Sequence, residues 1–103
     1  MSHFILTAYD YTDEGALDRR MAARTEHFQY IDEIFAQGKV IMGGARLDDN
    51  GKMIGSTIVF EMTQAELDEY MQKEPYITQK VWEKVEVSEY KVGPRFLEMV
   101  AAR

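Results

Sequence analysis

Residues 39–61 read KVIMGGARLDDNGKMIGSTIVFE. Two apolar, β-prone runs, Lys39–Leu47 and Met53–Glu61, flank Asp48-Asp49-Asn50-Gly51. Asn-Gly between apolar runs is a strong hairpin signal, because both residues tolerate positive φ. The stretch predicts two antiparallel strands at the middle of the chain, and the fold class follows from what lies on either side of them.

On the N-terminal side, Ala16 to Gln37 has helical spacing. Leu17, Met21, Phe28, Ile31 and Phe35 recur at intervals near three and four or their sums, which predicts an apolar stripe with Asp18, Glu26, Asp32 and Glu33 mostly on other faces. Thr12 or Asp13 is the expected N-cap, and Gly38 the residue just past the helix end. Before it, His3–Tyr9 (HFILTAY) reads as a strand. On the C-terminal side, Thr63-Gln64-Ala65-Glu66 is a capping box, with Met62 and Leu67 at the staple positions, so a second helix is expected over Gln64–Gln72. Pro75 opens a separate short segment. Val81–Tyr90 alternates as a fourth strand, Gly93-Pro94 ends it, and Arg95–Arg103 is a tail that forms a short helix or stays loose. The order β-α-β-β-α-β defines an α+β, ferredoxin-like arrangement: a four-stranded antiparallel sheet with both helices on one face. With 103 residues, one domain is expected over 1–92, followed by a tail, 93–103.

If helices cover one face only, the other should be polar where it meets water. The first strand does not comply: Phe4, Leu6 and Ala8 alternate with Ile5, Thr7 and Tyr9, and neither set is polar. Met53, Thr57 and Val59 repeat the pattern opposite Ile54, Ile58 and Phe60. A bare apolar sheet face usually marks an interface, so a homodimer joined through the sheet face is expected.

Composition narrows the function classes. A net charge of −6 and no basic stripe argue against nucleic acid and against an anionic membrane surface. No apolar run reaches the roughly 18 residues that a membrane helix needs. The absence of cysteine removes disulfides, Cys-based metal sites and thiol nucleophiles, and with two histidines a multi-histidine metal site is not expected. No basic-then-apolar N-terminal segment is visible, so the cytoplasm is the expected location.

Several residues invite a chemical reading. Arg20, Arg24, His27, Ile31 and Ile34 share one helical face that is polar at its start and apolar later. His27 stands at the boundary, where an imidazole can lean into a cleft and accept a proton near neutral pH. A locally bonded, half-buried histidine is the alternative. Arg24, a turn earlier, suits bidentate binding of an anionic group or a surface ion pair. In Glu74-Pro75-Tyr76 the proline fixes the backbone, so Glu74 and Tyr76 are presented in a defined way. A carboxylate there can orient a histidine or act as a second acid–base group, or the segment is a simple turn. Gly43-Gly44 and Gly55-Ser56 interrupt strands, which marks close approach by a backbone or by a ligand.

Taken in order, Arg24-x-x-His27, Gly43-Gly44-Ala45, the turn at 48–51, Gly55-Ser56-Thr57 and Glu74-Pro75-Tyr76 resemble the YciI-like family, over about Phe4 to Val92. The resemblance implies a ferredoxin-like protomer in a dimeric α+β barrel, and a cleft with a histidine paired to a carboxylate. The histidine carries over to His27. The carboxylate carries over to Glu74, one methylene longer than the aspartate usual in the family's Asp-Pro-Tyr. Arg24 and Ser56 match other recurrent positions, and Tyr76 closes the last motif. The expected activity is a lyase- or isomerase-like proton abstraction on a small oxygenated or cyclic molecule. His27 would be the base, Glu74 its partner, and Arg24, Ser56 and Tyr76 the substrate contacts. No cofactor and no metal are required. The alternative is a dimeric small-ligand-binding or accessory module without turnover.

Overall fold

The computed structural model describes residues 2–101. The chain runs β1 (Ser2–Asp10), α1 (Ala16–Ala36), β2 (Val40–Leu47), β3 (Met53–Met62), α2 (Gln64–Lys73), α3 (Pro75–Thr78), β4 (Trp82–Tyr90) and α4 (Pro94–Ala101). The strands form one antiparallel sheet in the order β2-β3-β1-β4. This is the expected ferredoxin-like α+β architecture. Phe4 stands opposite Phe60, Leu6 opposite Ile58 and Ala8 opposite Ser56, so these side chains share one face of the sheet. With Ala23 and Ile34 of α1 and Leu67 and Tyr70 of α2 they make the main core.

The ends of the elements follow local chemistry. The capping box of α2 is complete: Thr63 Oγ1 accepts from Glu66 N at 3.2 Å and Glu66 Oε1 accepts from Thr63 N at 2.9 Å. Gly38 has φ 77°, and Lys39 N donates to Ile34 O, which closes α1 with a left-handed residue. The N-terminus of α1 differs from expectation. Gly15 is the cap residue, while Asp13 accepts from Gly15 N and pairs with Arg19. The hairpin turn is also longer than a two-residue Asn-Gly turn. Asp48 accepts from Asn50 N and Lys52 N, and Gly51 alone in the turn takes positive φ.

Two expectations about faces need correction. The stripe Leu17, Met21, Phe28 and Phe35 does not enter the core, and these side chains are 39–47% exposed. The helix sits on the sheet through Ala16, Arg20, Ala23, His27 and Ile34, a stripe rotated by about one residue. Small side chains let the helix approach closely, and the bulky ones are displaced to its flank. The second correction concerns the outer sheet face, which is not bare. The amphipathic α4 covers part of it, where Leu97 and Val100 pack with Ile5, Ile41, Val59 and Val92. Residues 102–103 of the expected tail lie outside the described residues.

Candidate active site

The site begins with a proline. Pro75 keeps the preceding residue out of the helical region, and Glu74 has φ −60° and ψ 118°. Glu74 therefore ends α2 and caps α3 at once, and its side chain accepts from Tyr76 N at 3.0 Å. It is fully buried. One turn back on α2, Tyr70 donates its hydroxyl to Glu74 Oε2 at 2.5 Å. The third donor comes from α1: His27 Nδ1 lies 2.5 Å from Glu74 Oε1. Three donors on one carboxylate suit its ionised, acceptor-only form. Burial, then the Glu74 charge, push the Tyr70 phenol well above the usual range, so it remains a donor.

His27 is buried at 7% exposure, with its ring stacked on Tyr76 at 3.9 Å between centroids and 8° between planes. Trp82 meets it edge-on at 6.1 Å. A carboxylate on Nδ1 fixes the proton there and leaves the lone pair on Nε2. Nε2 bonds to no side chain or backbone group among the described residues, and His27 lines a cleft. The carboxylate thereby sets the orientation of the ring in the cleft.

A second buried network lies beside this pair. Arg20, 3% exposed, donates through Nη1 to both Asp10 oxygens at 2.8–2.9 Å and through Nη2 to Ser56 Oγ at 3.1 Å. Trp82 Nε1 donates to the same Oγ at 3.3 Å. With two donors on its oxygen, Ser56 has its own O–H left to give. Arg20 Nε is buried and has no partner among the described residues. Arg24 is exposed over the Phe28 ring, 5.0 Å from its centroid, and forms no ion pair among the described residues. In the sequence Arg20 stands on the helical face of His27 but only Arg24 is given a binding role, and Asp10, Tyr70 and Trp82 are given none. For Arg20 a signal existed, since it stands seven residues, about two helical turns, before His27.

The cleft that Arg20, Arg24, His27, Ser56 and Tyr76 share has a volume of about 600 Å³ and runs between α1 and the edge strand β2. Its depth comes from small residues: Gly43 and Ala45 stand opposite Ile58 and Ser56, on the helix side of β2. A Cβ at Gly43 would press on Ile58 at 3.2 Å, whereas Gly44 has nothing within 4 Å. Gly55 serves another purpose. A Cβ there would lie 2.1 Å from the Ala8 carbonyl oxygen, so it allows the backbones of β1 and β3 to meet. Among the described residues no His, Cys, Asp or Glu cluster could hold a metal ion, and no helix is long and apolar enough to cross a membrane.

An open antiparallel sheet with two helices on one face and a histidine–carboxylate pair beside it defines a ferredoxin-like α+β protein with a candidate acid–base cleft. The chain belongs to the YCII-related domain family, whose family model matches residues 2–91. Among solved structures it is similar to the 5-chloro-2-hydroxyhydroquinone dehydrochlorinase of Burkholderia phenoliruptrix, in complex with 2,5-dihydroxybenzoquinone. That likeness has a TM-score of 0.75 at 21% identity, over 90% of this chain and 97% of the other. It is also similar to a dimeric ferredoxin-like protein of unknown function from a Jannaschia species, with a TM-score of 0.52 at 14% identity over 89% and 100% of the two chains. A conserved protein from Methanosarcina mazei gives 0.53 at 13% over 90% and 95%. A search of curated proteins finds no match.

Proposed function

We propose that this chain is a cofactor-independent acid–base enzyme of lyase or isomerase type, acting on a small oxygenated or cyclic molecule as a homodimer. The observation that carries the reading is His27 Nδ1 held at 2.5 Å on the buried Glu74 carboxylate while the same ring lines an open cleft. Nε2 takes a proton from a carbon or oxygen acid of the substrate. The imidazolium so formed is stabilised by the Glu74 charge, which is already in place and needs no reorganisation. The Ser56 O–H and Arg24 face the negative charge that develops on the substrate oxygen. The proton then returns at another atom, giving an isomer, or a leaving group departs with its electron pair, giving an elimination. The dehydrochlorinase supports the elimination branch, since its ligand is an oxygenated ring of the kind this chemistry needs.

The test is a turnover screen of oxygenated cyclic compounds with wild type and His27→Ala. The expected outcome is turnover that falls roughly 10²–10⁴-fold in the variant, with the folded circular dichroism spectrum retained at the assay temperature although loss of the buried pair lowers the melting temperature. Compounds that bind but never turn over would assign the cleft to a binding module instead.

A further inference from the structure

The cleft is larger than a bare oxygenated ring needs, and its two ends differ. Its volume of about 600 Å³ lies in the range of pockets that take ligands of drug size. The donors are confined to one end, where Arg20, Arg24, His27 and Ser56 gather under Ala45. From His27 the cleft follows α1 toward its C-terminus past Ile31 to Phe35, and follows β2 from Gly43 to Val40. Ile31, Phe35, Val40 and Ile58 line this half, and Ile41 and Met42 of the irregular edge strand stand at its mouth, where they also border the hollow on the other face. Eight residues of helix separate His27 from Phe35, so the apolar extension is about 12 Å long. Its one charged group, Asp32, is exposed at the rim. Phe28 and Phe35, two of the exposed large apolar side chains of the protein, are the lips of this trough. Their exposure has a use if a ligand lies against them.

The charges agree with this polarity. In a chain of net charge −6, the donor end presents an exposed Arg24 without an ion pair among the described residues, while the buried Arg20 behind it is committed to Asp10 and Ser56.

We propose that the cleft takes an amphipathic anion. A carboxylate or enolate head would meet Arg24 and the Ser56 hydroxyl, and an apolar chain or second ring would lie along Ile31 and Phe35 on one wall and Val40 and Ile58 on the other. This rests on the proposed role of the same cleft and names its substrate class. The apolar part is held by burial alone, the head by charge, and His27 stands where the two join, so the proton removed lies close to the anionic head.

Trp82, the only tryptophan, lies behind the cleft, hydrogen-bonded to Ser56 and edge-on to His27, so its fluorescence is expected to follow what these two lining residues meet. It does not border the second apolar hollow under α4, on the opposite face of the sheet. The experiment titrates the full chain with straight-chain carboxylates from butanoate to decanoate, below their micelle concentrations, and follows Trp82 fluorescence. Affinity is expected to rise roughly threefold to fourfold per methylene until the trough is filled, then level. Phe35→Gln should flatten that rise while leaving butanoate unchanged. Arg24→Gln should weaken all lengths by a similar factor, and the alcohol of matching length should bind at least tenfold more weakly. The rise should persist in His27→Ala, since it depends on the walls and not on the base. Affinity independent of chain length, or an equal rise in Phe35→Gln, would overturn the proposal. His27-dependent turnover with no chain-length effect sinks this inference alone. A chain-length effect with no turnover sinks only the catalytic reading.

Discussion

Glu74 is fully buried, and each of its carboxylate oxygens has a donor. Removing it leaves the Tyr70 hydroxyl and His27 Nδ1 without an acceptor in a closed space. Breaking one side of a buried pair costs about 3–5 kcal/mol, so Glu74→Ala is expected to lose that much in urea unfolding. Glu74→Gln keeps the shape and most hydrogen bonds but not the charge, and it separates structure from chemistry. It should stay folded yet turn over more slowly, because the imidazolium formed in the proposed step loses its counter-charge. Equal turnover by Glu74→Gln and wild type would remove the carboxylate from the chemistry. The glycines divide just as sharply. Gly55→Ala sets a Cβ 2.1 Å from a backbone oxygen and should cost at least about 2 kcal/mol, as forced overpacking does. Gly44→Ala meets nothing and should stay within about 0.5 kcal/mol. The same urea titration reads both. His27 and Glu74 were visible in the sequence as a helix-boundary imidazole and a pre-proline carboxylate. Their meeting was not, since 47 residues separate them and only the packing of α3 against α1 closes the gap. Arg20 was hidden by habit of chemistry: a buried guanidinium needs a tertiary partner, and Asp10 shares no pattern with it in sequence.

At the scale of elements, α2 shows how a local signal becomes a stability term. Lys39 beside it, then the Thr63 N–H, hold the Glu66 carboxyl below its ordinary 4.5, at about 2. The folded state thus binds fewer protons than the unfolded chain between these values. The stabilisation is complete above about pH 4.5 and is lost as pH falls through about 2. Glu66→Gln should therefore flatten the acid limb of a stability–pH curve in that window and leave the curve near neutrality parallel to wild type. High salt should shrink the difference, since the pair is near the surface. An acid limb unchanged by the substitution would mean that the capping box does not carry this linkage. The capping box was legible because all its parts lie within four residues. The facing of α1 was not. Its bulky apolar residues and its small ones form two stripes one residue apart, and both satisfy helical periodicity. Which one meets the sheet is decided by close approach of Ala16 and Ala23, a property of the pair of surfaces. The C-terminal half of the bulky stripe, Phe28 and Phe35, was then left to border the cleft, so the facing of the helix also decides where the trough lies.

The whole molecule is less compact than an isolated domain of its size. Its surface of 6728 Å² exceeds the roughly 6,000 Å² expected of a folded monomer of 12.0 kDa. Its radius of gyration of 13.9 Å exceeds about 12.8 Å. The excess has a location. α4 packs Leu97 and Val100 on the outer sheet face, and Phe96 and Met99, 59% and 58% exposed, line an apolar hollow beside them. Exposed Tyr90 and Met42 border the same hollow. An apolar surface spread over a helix and a sheet face in this way is covered when a second copy packs against it about a two-fold axis. The proposed homodimer therefore joins through the outer face with α4 as part of the contact, rather than through bare strands. Sedimentation equilibrium should give twice the mass of the chain at micromolar concentration. Phe96→Glu with Met99→Glu should give monomers whose far-ultraviolet circular dichroism is unchanged, because neither side chain belongs to the protomer core. A cleft that retains its ligand affinity in those monomers would show that α1 and β2 of a single chain suffice to build it. A wild type that sediments as a monomer would leave the α4 surface without this partner, while the histidine–carboxylate pair, which lies on the other face of the sheet, would stand unaffected.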